Sequence, residues 1–252
     1  MTSGHRFANT NAMNQFVPDT FFNGRISVKQ DKKGYRFSID AVLLADFSEI
    51  KPLSTIVDLG TGCGILPLIL AHRNPDTRYW GVEIQPDLAD MAMENVIENK
   101  MEKRIQILCT DMKTITCDRL SGPVDIVISN PPYRKKDTGR INPNSQRAVA
   151  RHEIKIKLEE ILIITEKILR TSGKFFTIYP SDRTVDLLFI MRKTGIEPKR
   201  IRTIHSSQGA EAKLVLVEGI KGGRHGLKIL NPLMVYQDRG IYTDEVENMF
   251  KP

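Results

Sequence analysis

Short apolar runs alternate with helical segments along most of this chain, and no other feature of the sequence restricts its fold as strongly. Helical spacing recurs over 64–73, 87–99, 155–171 and 181–195; Ser172-Gly173 and Gly195 are the expected ends of the last two helices. Strands that alternate with helices indicate a doubly wound α/β fold with a mostly parallel sheet. The strand-like runs are STIVDLG, TRYWGVEI, IQILCTD, VDIVISN and GKFFTIYP, beginning at Ser54, Thr77, Ile105, Val124 and Gly173.

Both ends of the chain add smaller elements to this pattern. PKRIRTIHS and AKLVLVEGIK follow each other without a helix, which predicts an antiparallel edge hairpin and brings the sheet to seven strands. Asn23-Gly24 between two apolar runs predicts another hairpin, and Ser38 is the expected N-cap of a helix over IDAVLLADF. We therefore expect one domain over 21–252, with a flexible arm over 1–20, a hairpin and helix extension over 21–53, a core over 54–220 and a C-terminal extension over 221–252.

Charge and cysteine content narrow the range of partners. The net charge of +7 favours a polyanionic partner without deciding for nucleic acid. Cys63, Cys109 and Cys117 form no CxxC pair, which fits packing residues in a reducing cytosol and argues against structural zinc. The N-terminal MTSGHRFANT has no apolar stretch of signal-peptide type, and ILPLILA at 65–71 is too short to span a membrane. We expect a cytoplasmic protein without a membrane partner.

Candidate binding residues stand where the predicted strands end, the edge at which doubly wound sheets hold ligands. The first strand leads into DLGTGCG, residues 58–64, whose alternating glycines allow a tight turn close to a ligand; a turn without a ligand is the alternative. Glu83 ends the second strand, where a carboxylate can accept hydrogen bonds from two ribose hydroxyls or simply be a solvated charge. Asp111 follows the third strand and can accept hydrogens from an adenine amino group or cap the next turn.

The fourth strand ends in VISNPPY, residues 127–133. Asn130 and Pro131 both precede proline and are held extended, and neither Pro131 nor Pro132 has an N–H. The loop therefore presents the Asn130 side-chain oxygen and a backbone carbonyl as two acceptors, with the ring of Tyr133 beside them. Such an arrangement suits a planar group that carries NH₂, whereas an ordinary Asn-Pro turn is the alternative.

Together, DLGTGCG, Glu83, Asp111 and NPPY resemble the class I, Rossmann-like, S-adenosylmethionine-dependent methyltransferases that act on exocyclic or amide nitrogens. The resemblance runs from about residue 20 to 250. GYRFSIDAVLLADF at 34–47 and NPLMVYQDRGIYTDEV at 231–246 further resemble the bacterial tRNA valine adenine-37 N6-methyltransferase group. Two positions depart from the pattern: Arg134 replaces an aromatic residue that many relatives have after NPPY, and Asn231 replaces a second proline.

The resemblance implies a role for each site residue and S-adenosylmethionine as the cofactor, with no metal. The methionine part of the cofactor would be held at the first strand end, the ribose at the second and the adenine at the third. Asn130 and the Pro131 carbonyl would bind the target NH₂, and Tyr133 would stack on its ring. The implied cofactor residues are Tyr35, Asp40, Asp58, Gly60, Thr61, Gly62, Gly64, Glu83, Ile84, Asp111, Met112 and Asn130, and the implied catalytic residues are Asn130, Pro131, Pro132 and Tyr133.

An NPPY motif fits adenine in RNA, adenine in DNA or a glutamine side chain, so other features of the sequence must distinguish among these substrates. Fewer than sixty residues precede the glycine turn, whereas relatives that methylate release-factor glutamine have a larger helical domain there. A basic run leads out of NPPY, which favours tRNA over a solvated surface; a non-catalytic RNA-binding module is the remaining alternative. The run contains Arg134, Lys135, Lys136, Arg140, Arg147, Arg151, Lys155 and Lys157.

Overall fold

The computed structural model describes residues 16–31, 39–131 and 158–251. Its helices are α1 (Asp40–Phe47), α2 (Ile65–Arg73), α3 (Pro86–Glu98), α4 (Leu158–Ile168), α5 (Thr184–Lys193) and α6 (Asp244–Asn248). Its strands are β1 (Phe16–Phe21), β2 (Ile26–Asp31), β3 (Thr55–Leu59), β4 (Arg78–Glu83), β5 (Ile105–Cys109), β6 (Val124–Ser129), β7 (Leu169–Pro180), β8 (Ile196–His205), β9 (Ala212–Lys221), β10 (Lys228–Ile229), β11 (Leu233–Met234), β12 (Tyr236–Asp238) and β13 (Ile241–Tyr242).

The central sheet confirms the doubly wound α/β prediction. Its order is β10-β8-β9-β7-β6-β3-β4-β5, with β11 paired to β8. The seven predicted strands form its body, and the short β10 and β11, which the sequence did not predict, extend it to nine strands in the described chain. Only β9 runs antiparallel to its neighbours, since it returns from β8 and inserts between β8 and β7.

Both faces of the sheet are covered, and for that reason its strands are almost continuously apolar. Successive residues alternate between two buried clusters: Ile126 and Phe176 face one cluster, while Val127 and Phe175 face the other. The first cluster is filled by α1, α2 and the C-terminal extension. The second is filled by α4 and α5. Among the described residues, no helix has the length and apolar character needed to cross a membrane.

The N-terminal hairpin has the predicted turn. Asn23 and Gly24 have φ values of 56° and 81°, in the left-handed region that the Asn-Gly pair favours, and β1 pairs with β2 on either side of the turn. Residues 16–20, which the sequence assigned to the flexible arm, belong to β1, because the antiparallel pairing continues as far as Phe16↔Asp31. The rest of that arm and the predicted cap Ser38 lie outside the described residues.

The boundary between α4 and β7 differs from the sequence prediction. The helix expected over 155–171 ends at Ile168, and β7 begins at Leu169 rather than at Gly173. Ser172 has a φ of 59°, and a Cβ on Gly173 would lie 2.8 Å from the Arg170 carbonyl oxygen. The Ser-Gly pair therefore makes a tight backbone turn, but that turn lies within the strand and not at the end of the helix.

Candidate active site

Four parallel strands bring the predicted ligand-binding residues to one edge of the sheet. The register pairs Leu59 with Val82 and Glu83 with Cys109, so β3, β4 and β5 end level with one another. Asp58 pairs with Ile128, which places Asn130 beside the glycine turn that follows β3. The turn, the two acidic strand ends and the NPPY asparagine thus share the carboxyl edge, as the sequence predicted.

The glycine turn adopts a backbone that only glycine tolerates easily. Gly60, Gly62 and Gly64 have φ values of 81°, 59° and 82°. The amides of Gly60 and Thr61 both donate to the Val82 carbonyl, at 2.9 and 3.0 Å, which holds the start of the turn against β4. The turn leads directly into α2, whose first amides point back toward the edge of the sheet.

Glu83 links the turn to the end of β4. Its carboxylate is buried and accepts one backbone hydrogen bond on each oxygen: 2.9 Å from the Gly62 amide and 2.9 Å from the Gln85 amide. Each oxygen retains a further lone pair, so the oriented carboxylate can still accept from a ribose hydroxyl. The half-buried Ile84 lies between Glu83 and Gln85, beside this acceptor pair.

Asp58 is a buried carboxyl at the carboxyl edge. Burial raises its pKa to about 7, and the nearby Glu83 carboxylate adds to this rise, whereas the neighbouring Thr61 hydroxyl opposes it. A buried carboxylate is costly unless a cation or several donors compensate it. Asp58 is therefore suited to a ligand that brings positive charge to the glycine turn.

Asp111 caps a short 3-10 turn over Met112–Thr114. Its Oδ1 accepts from the Lys113 amide at 3.0 Å, so the capping alternative weighed from the sequence is correct for that oxygen. Oδ2 remains an acceptor, and capping fixes the direction of the carboxylate. The buried Met112 side chain supplies an apolar surface next to it.

The side-chain oxygen of Asn130 is the most informative atom at the carboxyl edge of the sheet. This Oδ1 is buried and has no hydrogen-bond donor among the described residues. A buried acceptor without a donor costs about 1 to 3 kcal/mol, so its retention calls for an explanation. The preceding Ser129 is fully buried and donates to the Leu59 carbonyl at 2.8 Å, which ties the end of β6 to the end of β3. Pro131 is buried beside Asn130.

Of the remaining predicted residues, the structure describes Asp40. Asp40 is buried in the first turn of α1, a helix that packs against α2 and β7. Tyr35, Pro132 and Tyr133 lie outside the described residues, as does the basic run: Arg134, Lys135, Lys136, Arg140, Arg147, Arg151, Lys155 and Lys157.

Sequence reasoning missed two polar residues that support the site. Ser129 was treated as part of an apolar strand, although its hydroxyl joins two strand ends. Asn95 lies on the buried face of α3, between Ala92 and Val96, and donates to the Cys63 carbonyl. A lone asparagine on an otherwise apolar helix face is a signal that could have identified it.

Known proteins resemble this chain along most of its length. Residues 39–178 match the profile of the Methyltransferase small domain family. The chain is 31% identical over 242 residues to the tRNA1(Val) (adenine(37)-N6)-methyltransferase of Porphyromonas gingivalis, covering 93% of this chain and 94% of that one. The Bacteroides fragilis protein of the same name is 30% identical, covering 77% and 80% of the two chains.

Solved structures share the fold. A predicted O-methyltransferase from Agrobacterium tumefaciens superposes with a TM-score of 0.67 at 22% identity, covering 83% of this chain and 94% of that chain. TYW2 from P. horikoshii, solved in complex with MeSAdo, superposes with a TM-score of 0.59 at 17% identity, covering 83% and 73%. The sheet described above is the class I methyltransferase fold.

Proposed function

The chain belongs to the Methyltransferase small domain family, and from that membership and the geometry of its carboxyl edge we propose that it methylates the exocyclic N6 of an adenine in tRNA, adenine 37 of a valine tRNA. S-adenosylmethionine is the methyl donor. The buried, donor-free Oδ1 of Asn130 is the observation that carries the proposal, because an exocyclic NH₂ supplies the donor that this atom lacks. The names of the relatives support the choice of tRNA and of the position.

The described residues fit the cofactor. Asp58 offers a buried negative charge to the cationic methionine end, and the Glu83 oxygens are oriented to accept from the ribose hydroxyls. Asp111 and Met112 provide a polar and an apolar contact for the adenine. When bound, S-adenosylmethionine supplies an electrophilic methyl group on a positively charged sulfur.

Asn130 activates the target amino group by accepting a hydrogen bond from it. The lone pair of an adenine N6 is delocalised into the ring, so the nitrogen is a weak nucleophile. Acceptors at Asn130 Oδ1 and the Pro131 carbonyl favour the pyramidal form of the nitrogen and stabilise the positive charge that develops on it. Holding the nitrogen in line with the methyl group supplies the rest of the acceleration. After transfer the cofactor would leave as the neutral thioether S-adenosylhomocysteine, and the positively charged methylated nitrogen is acidic enough to lose its extra proton to water, so the chemistry requires neither a strong base nor a protein nucleophile.

The experiment that tests the proposal is methyl incorporation from labelled S-adenosylmethionine into three substrates: unmodified tRNA transcripts, duplex DNA that contains adenine, and a release factor that carries the target glutamine. We expect tRNA to be methylated and nucleoside analysis to identify N6-methyladenosine. Preference for DNA or for the release factor would contradict the substrate and leave the methyl-transfer mechanism intact.

Asn130→Ala separates the mechanism from cofactor binding. Removing the acceptor should abolish methyl transfer and leave the affinity for S-adenosylmethionine nearly unchanged, because the lost Oδ1 binds the target amino group. Unchanged affinity would also show that the cofactor role implied for Asn130 by the resemblance does not rest on this atom. Asn130→Asp is the matched variant, because it keeps an oxygen acceptor at the same position and should retain measurable turnover. Wild-type turnover in Asn130→Ala would contradict the proposed activation of the amino group by Asn130.

A further inference from the structure

Helix α3 binds the glycine turn at the Cys63 backbone carbonyl, which accepts no hydrogen bond within α2. The first carbonyl to accept an intrahelical bond in α2 is that of Gly64, from the Leu68 amide at 3.2 Å. The Cys63 carbonyl precedes it and accepts instead from Asn95 Nδ2 at 2.9 Å. Asn95 is fully buried, so water does not substitute for this donor.

The same side chain also binds the N-terminal hairpin. Asn95 Oδ1 accepts from the Lys29 amide at 2.8 Å, and Asn95 Nδ2 donates to the Lys29 carbonyl at 3.1 Å. Its two N–H groups and its oxygen are therefore all engaged. One buried amide thus joins the backbone of β2 to the backbone of the glycine turn.

A second contact shows how closely α3 and the turn fit. A Cβ added to Gly64 would lie 3.2 Å from the Ala92 Cβ, one helical turn before Asn95. The turn therefore rests on α3 at two neighbouring points, a steric one at Ala92 and a polar one at Asn95. A shift of the Asn95 side chain moves the Cys63 carbonyl, and with it the Gly62 and Gly64 backbone on either side.

We propose that Asn95 is a positioning residue for methyl transfer: its amide sets the position of the cofactor turn and makes that position depend on the docked N-terminal hairpin. The inference rests on the proposed function, because it assigns the glycine turn to S-adenosylmethionine. It adds a role for the hairpin, which forms its own two-stranded sheet and packs into the first hydrophobic cluster. Loss of the Lys29 contact to Asn95 should therefore weaken cofactor binding.

Asn99 provides a matched control on the same helix. Its side chain docks the hairpin by the same pattern, accepting from the Ser27 amide at 3.0 Å and donating to the Ser27 carbonyl at 2.7 Å. Its other bond goes to the Asn95 backbone carbonyl, within α3. Asn99 thus anchors the hairpin without a described contact to the glycine turn.

The test compares Asn95→Leu with Asn99→Leu in the full chain. Binding of S-adenosylhomocysteine is measured by calorimetry, and KM for S-adenosylmethionine and kcat are measured with tRNA. We expect Asn95→Leu to weaken cofactor binding by about tenfold, the effect of one misplaced or lost hydrogen bond in a buried site. Asn99→Leu should lower Tm yet leave cofactor affinity within about twofold.

Lys29→Pro tests the hairpin end of the coupling, with Lys29→Ala as the control for the ion pairs that Lys29 makes with Glu94 and Glu98. Proline removes the N–H that binds Asn95 Oδ1, at a strand position where that N–H points away from the β1 pairing. We expect it to weaken cofactor binding, and the double variant Asn95→Leu/Lys29→Pro to be no weaker than Asn95→Leu alone, because both changes act through one amide.

The outcomes of these experiments separate the role of Asn95 from the proposed function. Equal cofactor affinity in Asn95→Leu and Asn99→Leu, or full additivity in the double variant, overturns the inference. If Asn95→Leu does not fold, unchanged affinity in Lys29→Pro overturns it equally. A wild-type chain that binds no S-adenosylhomocysteine refutes the proposed function, whereas a wild-type chain that binds it and methylates another substrate leaves the role of Asn95 testable by the same measurements.

Discussion

Asp58→Asn should stabilise the ligand-free protein at high pH and weaken cofactor binding at the same time. Burial raises the pKa of Asp58 from 3.8 to about 7. At about 1.4 kcal/mol per unit, keeping this carboxylate ionised in the folded state costs at most about 4 kcal/mol. Asparagine has nearly the same shape and does not incur this cost.

The sign of the pH dependence follows from the direction of the shift. Because the folded-state pKa is the higher one, the folded state keeps its proton while the unfolded state loses it as the pH rises above about 4. Stability should therefore fall between about pH 4 and pH 7 and level off above. Between pH 5 and pH 8 the loss is about 3 kcal/mol, or roughly 6 to 12 °C in Tm for a chain of this size.

Thermal melts of the wild type and of Asp58→Asn at pH 5 and pH 8 test this reasoning. We expect the difference in Tm between the two proteins to grow by about that amount toward pH 8, which removes the contribution of every other titrating group. S-adenosylmethionine should bind the wild type more tightly as the pH rises through 7, because its cationic end favours the ionised carboxyl, and Asp58→Asn should lose this dependence. A Tm difference that is equal at the two pH values would refute the buried-charge argument.

Three further changes probe the site and its support. Glu83→Ala should weaken S-adenosylmethionine binding by about 100-fold in calorimetry, because two acceptors for the ribose disappear; unchanged affinity would contradict that role. Gly64→Ala should cost about 2 kcal/mol in denaturant unfolding, because φ is 82° and the added methyl meets Ala92 at 3.2 Å; a neutral result would show that the turn relaxes freely. Glu218→Gln should cost about 2 kcal/mol in the same assay, since the buried Glu218 carboxylate pairs with Lys174 and Arg200. Glu49→Gln should cost under about 1 kcal/mol, because the exposed Glu49 pairs with the same two cations; equal costs would contradict the importance of burial.

The carboxyl edge could be predicted from the sequence because its signals are local. Gly60, Glu83 and Asn130 each follow an apolar run directly, and parallel strands bring such positions together whatever the remaining contacts are. The Asn23-Gly24 hairpin was predictable for the same reason, since two residues decide the turn. The roles given to Tyr35 and Tyr133 stay predictions.

The features that the sequence did not reveal depend on tertiary contacts. β10 and β11 each have two residues, too few for any period, and exist only because β8 offers a free edge. The bonds of Asn95 join three segments that are more than thirty residues apart in sequence. Ser172-Gly173 was correctly identified as a turn, but whether a turn ends a helix or interrupts a strand is decided by the pairing of β7 with β6.

The arrangement of unsatisfied groups also argues for direct transfer of the methyl group. The buried Asp58 carboxyl favours a cationic ligand and Asn130 Oδ1 a hydrogen-bond donor. They lie on neighbouring strands whose axes are about 4.8 Å apart, and Asp58 pairs with Ile128, two residues before Asn130. A methyl donor and an amino group held there meet without an intermediate carrier. A covalent relay would need a nucleophile between them, and the cysteines of the described residues do not supply one. Burial raises the pKa of the Cys63 thiol to about 11, Cys109 ends β5, three strand spacings or about 14 Å from β6, and Cys117 donates to the Lys167 carbonyl of α4. The carboxyl edge therefore holds the methyl donor and the amino group next to each other, and the methyl group passes directly from one to the other.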